Sequence, residues 1–217
     1  MLRTRGQQID YKLFLPAIAA AVREKYEDKD TQLTDAEFEA MVSILYRDAV
    51  IEFMKDSKMY RIEIPIDIYA GVRYYPIVPP DGYYVESAIR LRAGNRKIPP
   101  AYLLDEHDLI IDEPCCPNCD VDNAFYVEVA IVPNITDNTC KFDADFVNRY
   151  YNAILLAMER RLFAMNREWK DIRLSDLRGR EYRRAVTDAI GGGYYYNKTI
   201  KMRWKRFSES MCYNARY

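Results

Sequence analysis

The chain changes its hydrophobic period twice. Residues 11–58 carry apolar side chains three or four positions apart, residues 60–68 carry them at every second position at the start of a strand-like stretch that reaches 133, and from residue 143 the longer spacing returns. A period near 3.6 marks an amphipathic helix and a period of two marks a half-buried strand. The pattern therefore predicts helices, then an all-β stretch, then helices again.

In the first helical stretch Tyr11, Leu15, Ile18, Val22 and Tyr26 form one stripe. Pro16 is tolerated only in a first turn, so the regular helix is expected to start near Leu15 or Pro16 and to end in the polar run 27–32. Thr34-Asp35-Ala36-Glu37 then reads as a capping box, in which the Thr34 hydroxyl accepts from the Glu37 amide and the Glu37 carboxylate reaches back. The helix it opens lines up Phe38, Met41, Val42, Leu45, Ala49 and Phe53 and is expected to end around Lys58.

Tyr60, Ile62, Ile64, Ile66 and Ile68 alternate with Arg61, Glu63, Pro65 and Asp67, which predicts a strand with an edge or a bulge at Pro65. Ala70-Gly71 is a turn before a second strand over 72–78. Pro79-Pro80-Asp81-Gly82 has strong turn chemistry. Further strands are expected over 85–91, 109–111 and 125–132, with a hairpin turn at Ala93-Gly94-Asn95. Strands this short and this closely spaced suggest a small antiparallel sandwich or barrel.

Asp143 is a plausible N-cap for a helix over 143–166. Phe146, Tyr150, Ile154 and Ala157 make one stripe; Val147, Tyr151, Leu155, Met158, Leu162 and Met165 make a second. A helix apolar on two faces is buried between two neighbours, and the second stripe is read as facing another subunit. A further helix is expected over 174–189, ended by Gly191-Gly192-Gly193. Beyond it Ile200, Met202 and Trp204 alternate with Thr199, Lys201, Arg203 and Lys205, which predicts an isolated strand that adds to a sheet edge, its own or a partner's.

Composition places the chain of 217 residues among ordinary globular proteins, at 49% hydrophobic and 30% charged. Nineteen tyrosines suit either a large protein interface or a tyrosine-rich core. The formal net charge of −1 is unevenly spread: residues 141–217 carry 17 basic and nine acidic side chains, and the remainder is acidic. That polarity suits head-to-tail packing of copies or an acidic partner, and equally a solvated basic helix. The opening residues lack an apolar core, so no signal peptide is expected, and no apolar run approaches the roughly 20 residues of a membrane span. Five cysteines fit free thiols in a reducing cytoplasm better than a disulfide framework.

Chemistry-bearing motifs are sparse. Cys115, Cys116 and Cys119 with Cys140, and with His107 as the only histidine, make an incomplete zinc ligand set; the plain alternative is reduced thiols between strands. His107 lies among Asp105, Glu106 and Asp108 with no nucleophile at a recognisable spacing, and is read as a loop residue. No phosphate-binding glycine pattern is present. The expectation is therefore no catalytic site, no metal and no cofactor. The basic tail with Trp204 and Phe207 fits single-stranded nucleic acid by stacking, but its alternation favours docking on protein, with Tyr194, Tyr195, Tyr196, Ile200, Met202, Trp204 and Phe207 as the docking residues.

Four pieces of the chain resemble one known family. They are Phe14-Leu15-Pro16-Ala17-Ile18; Tyr46-Arg47-Asp48-Ala49-Val50-Ile51-Glu52-Phe53, followed by Ser57-Lys58-Met59-Tyr60, Ile66-Asp67-Ile68-Tyr69-Ala70-Gly71 and Tyr75; Pro79-Pro80-Asp81-Gly82; and Ala157-Met158-Glu159-Arg160-Arg161-Leu162-Phe163-Ala164-Met165 with Trp169-Lys170-Asp171 and a final basic helix through Tyr182. In this order, over about residues 13–190, the chain resembles the head-to-tail adaptor (connector) proteins of short-tailed bacteriophages. Phe53-Met54 departs from the family, which often has cysteine there, and the Cys115–Cys119 loop is particular to this chain.

The resemblance implies an α+β fold: a helical bundle (1–59 and 141–193) with an inserted antiparallel β domain (60–140) and an extended docking tail (194–217). It implies a homo-oligomeric ring of about twelve copies matching portal symmetry. Such a ring sits in the virion neck between the portal protein and the tail nozzle or tube, often with tail fibres attached. Double-stranded DNA passes its lumen without sequence-specific binding, and no membrane is involved. The ring would assemble in the host cytoplasm. Alternatives are a tail-completion ring lower in the neck and a nucleic-acid-binding accessory protein using the basic C-terminal half.

Overall fold

The computed structural model describes residues 8–23, 34–112, 118–134, 142–167 and 169–213, of which 8, 23 and 193–213 are described in backbone only. The elements are β1 (Gln8–Ile9), α1 (Leu15–Arg23), α2 (Asp35–Ser57), β2 (Arg61–Ile68), β3 (Tyr74–Pro76), β4 (Tyr83–Ala93), β5 (Tyr102–Leu104), β6 (Asp108–Ile111), β7 (Val121–Pro133), β8 (Phe142–Asp143), α3 (Ala144–Arg149), α4 (Tyr151–Ala164) and α5 (Ile172–Tyr213). The protein is thus α+β, with helices on both sides of an antiparallel β insertion.

Local chemistry sets the helix ends. Both hydrogen bonds of the capping box at Thr34 are made, and Lys58 closes α2 in the left-handed conformation at φ 53°. The Asp143 carboxylate accepts from the Phe146 amide at 3.0 Å and starts α3. Asp171 does the same for α5, accepting from the Leu174 amide at 3.0 Å. Pro16 sits in the first turn of α1, where its missing N–H costs nothing.

The β insertion forms two three-stranded antiparallel sheets, ordered β2-β7-β4 and β3-β6-β5. Ile64, Ile66 and Ile68 of β2 point the same way as Phe125, Val127, Val129 and Ile131 of β7. They share one buried cluster with Tyr75, Leu109 and Ile111 from the smaller sheet. The sheets are open, and the register shift on β2 falls between Ile66 and Ile68, one residue past Pro65. The turn before β4 needs glycine: Gly82 has φ +81°, and the Tyr83 amide donates to the Pro80 carbonyl at 3.1 Å.

A second core fills the helical body. Phe14 stacks on Tyr151 with centroids 4.6 Å apart, Tyr46 meets Phe142 edge-on at 5.5 Å, and Phe53 packs on Tyr150 at 4.9 Å. β1 pairs with β8, and the Tyr46 hydroxyl donates to the Ile9 carbonyl, so the chain entering α1 is tied to the chain leaving the insertion. β7 serves both cores. Its odd positions face the β cluster, while Val132 on the opposite face belongs to the helical core. That explains its unbroken apolar run from 129 to 132.

Four expectations need correction. Ala93-Gly94-Asn95 is not a hairpin turn: Gly94 and Asn95 continue to pair with residues 123 and 124 of β7. A Cβ on Gly94 would lie 2.2 Å from the Asn123 carbonyl oxygen, so the glycine serves a close approach of two backbones. The helix expected over 143–166 is broken at Tyr150, whose φ of −110° and ψ of 21° separate α3 from α4. The second face of α4 packs on α5 of the same chain, and within this chain Val147, Met158 and Leu162 are already completely buried. The fourth correction concerns the tail. The strand over 199–205 is absent, because α5 runs unbroken from Ile172 through Gly191-Gly192-Gly193 to Tyr213. Glycine in a helix costs about 1 kcal/mol against alanine but does not forbid it, and no proline follows Pro133. Positions 196, 200, 204, 207 and 211 are also apolar at helical spacing, over a longer stretch than the alternation covers.

Candidate functional site

The features with the densest chemistry are two arginine–carboxylate clusters, one in each region. In the helical body Glu52 of α2 accepts from Arg160 and Arg161 of α4, with Arg161 giving Nε and Nη2 at 3.2 and 3.1 Å. Arg161 also approaches Asp48 at 3.7 Å. One turn along α2, Asp56 accepts from the Tyr182 hydroxyl at 2.9 Å. The Arg160 guanidinium lies over that tyrosine ring, 5.4 Å from its centroid. Burial, then the bond to Asp56, pushes the Tyr182 hydroxyl's pKa well up, so it stays a neutral donor. Arg178 of α5 meets Glu159 of α4 at 2.6 Å and Glu181 at 2.8 Å. Gly179 lets the helices come this close, since a Cβ there would lie 3.2 Å from the Arg160 side chain. This clamp holds α2, α4 and α5 together.

On the β2-β7-β4 sheet Glu128 is buried, opposite Glu63 on β2 and Arg90 on β4. Arg90 donates to it, Arg61 reaches it at 3.3 Å and Arg92 at 3.3 Å, while Arg92 also pairs with Glu63. Burial raises the pKa of Glu128. The Arg90 hydrogen bond, the charges of Arg90 and Arg92 and the Arg61 hydrogen bond outweigh burial and hold it below the ordinary value. An ionised carboxylate with its oxygens occupied by three guanidiniums is an acceptor and not a proton donor.

Asp105 explains the surroundings of His107. Its carboxylate accepts from the amides of His107 and Asp108 at 2.8 and 2.7 Å, closing the β5–β6 turn; the Asp108 amide first, then that of His107, lowers its pKa. His107 is exposed in this turn. Cys119 is an exposed free thiol, while Cys115, Cys116 and Cys140 lie outside the described residues. Among the described residues no three His, Cys, Asp or Glu side chains converge as a metal site, and no helix is long and apolar enough to cross a membrane.

The five side chains read as a subunit interface fall in the chain's own interior. Val147, Met158 and Leu162 are fully buried in the helical core, and Tyr151 and Leu155 are half-buried against it. The two-faced helix is real, but its neighbours are α2 and α5 of the same chain. The docking residues Tyr194, Tyr195, Tyr196, Ile200, Met202, Trp204 and Phe207 have helical backbone in α5, and their side chains lie outside the described ones.

Two surfaces escaped the sequence reading. One is the outer face of α5, where Arg173, Arg180, Arg183 and Arg184 are exposed. The other is the outer face of the small sheet, where Tyr74, Ile110 and Leu103 stand directly opposite one another. The helical signal for the first lay in the spacing of its arginines. The second depends on strand register, which short apolar runs do not reveal.

No known protein family matches this chain, and no characterised protein matches it.

Proposed function

We propose that this chain is a virion structural protein, a head-to-tail adaptor that forms a ring of about twelve copies between a phage portal and the tail nozzle or tube and lines the DNA exit channel. One observation supports the reading above others. The stretches 46–53 and 157–165, which carry most of the family resemblance, meet through Glu52 with Arg160 and Arg161. Around that join α1 to α5 form the helical bundle, and the two sheets between α2 and α3 stand where the family carries its inserted β-sandwich. Nozzle and fibre components would attach at the β insertion. The segment 194–217 would dock on the portal. Since α5 runs through this segment to Tyr213, docking takes the form of a helix laid in a groove and not of strand addition.

Deleting residues 194–217 tests this directly in a portal pull-down. Loss of portal binding with the helical signal of 35–190 intact is the expected result; unchanged binding removes the docking role. The runner-up, a nucleic-acid-binding accessory protein, draws on the exposed arginines of α5. A salt titration against single- and double-stranded DNA separates the two. The adaptor should bind DNA weakly at physiological salt, and the accessory protein should bind it tightly.

A further inference from the structure

Seven described arginines pair with a carboxylate: Arg47 with Asp48, Arg61, Arg90 and Arg92 with Glu128, Arg160 and Arg161 with Glu52, and Arg178 with Glu159. Arg173, Arg180, Arg183 and Arg184 do not. They lie within 12 residues of α5, with Arg173, Arg180 and Arg184 on the face turned away from buried Tyr182 and Arg183 to one side of it, and none has an ion-pair partner among the described residues. Large apolar side chains border them: Ile172, Leu177 and Ile190 are 53%, 42% and 45% exposed.

The small sheet offers the complement. Register puts Tyr74, Ile110 and Leu103 in one row across its outer face, with Tyr74 62% and Leu103 59% exposed. On the same face β6 continues to Asp108, and the turn before it carries Asp105 and Glu106. Neither Glu106 nor Asp108 has a cation partner among the described residues. Each patch thus joins exposed apolar side chains to unanswered charge, with opposite signs on the two.

We infer that these patches recognise each other between copies: the outer face of α5 in one copy docks on the outer face of the β3-β6-β5 sheet in the next. The patches differ, so the contact is heterologous, and repeating it yields a closed ring where the rotation closes. This rests on the ring reading above and names the contact that builds the ring. A nucleic-acid partner is the less favoured occupant. Exposed Asp176 and Asp188 interrupt the basic face. Arginine beside apolar side chains is instead the composition of a protein interface.

The test is sedimentation of the full-length protein over a concentration series, with R180E/R184E, with E106R/D108R and with the four changes combined. Each pair should weaken self-association at least about tenfold, and the combination should restore it to within about threefold, because like charges facing across a contact are repulsive and the double swap removes the repulsion. Rescue by the combined variant rules out misfolding as the cause of either loss. Assembly indifferent to all three variants overturns this contact while leaving the ring. A protein monomeric at every concentration overturns both. DNA retention lost in R180E/R184E, with assembly unchanged, overturns the contact in favour of nucleic acid.

Discussion

The helical body and the β insertion are each held by a poorly exposed glutamate clamped by arginines, yet the two clamps join different things. Glu52 binds Arg160 and Arg161, more than 100 positions away, and so ties the chain before the insertion to the chain after it. Glu128 binds Arg61, Arg90 and Arg92, all within the insertion. The cores divide in the same way. The body buries aromatic side chains drawn from separate stretches of sequence, including Phe14, Tyr46, Phe53, Phe163 and Trp169. The insertion buries mainly Ile, Val and Leu from one continuous stretch. The insertion therefore holds itself together, whereas the body depends on both of its halves meeting. A scaffold closed by its ends and carrying a self-sufficient sheet unit suits an assembly protein whose body and insertion face different partners.

The largest expected effect is from Phe53→Ala. Phe53 is fully buried between Phe146 and Tyr150, and truncation should cost about 3–5 kcal/mol. Hydrogen exchange should show α2 and α4 losing protection while the inner residues of β7 keep theirs. Equal loss in both regions would mean that the two cores unfold as one cooperative unit.

Glu128→Gln is the converse and somewhat smaller, roughly 2–3 kcal/mol, because three guanidiniums lose their counter-charge at a buried site. Here β2, β4 and β7 should lose protection and α4 should not. A pH series sharpens the point. The folded pKa of Glu128 lies below its unfolded value, so its contribution is fully present above roughly pH 4.3 and is lost as pH falls through the folded value. The wild-type insertion should therefore destabilise in that acid window, and the Gln variant should lack that component.

The smallest effect should come from Asp143→Ala, which removes the cap where the chain re-enters the body. About 1 kcal/mol is expected, felt at α3 and not in the two three-stranded sheets of the insertion, and read as a shift in the denaturant midpoint at constant slope.

These regions also differ in how much of them the sequence exposes. The capping box at Thr34, the Asp143 cap and the alternation from Tyr60 to Ile68 were legible because each is decided by residues a few positions apart. The covering of the second face of α4 was not, since the covering helix lies beyond Trp169 and the pattern of α4 does not say whose helix it meets. The glycines at 191–193 read as a stop because glycine is the commonest helix terminator, whereas a glycine costs a helix only about 1 kcal/mol and the apolar spacing resumes at 196, 200, 204, 207 and 211. β5 is three residues long, and the apolar row it completes is set by pairing alone. The candidate assembly surfaces were invisible for the same reason: unanswered charge is recognised only when every answered charge has been located.

Electron images of the purified full-length protein, alone and mixed with its portal, decide whether it is a ring. Ring-shaped particles with an open lumen that cap the portal coaxially are expected. Particles that remain single chains in both samples, with no density added to the portal, would contradict the ring.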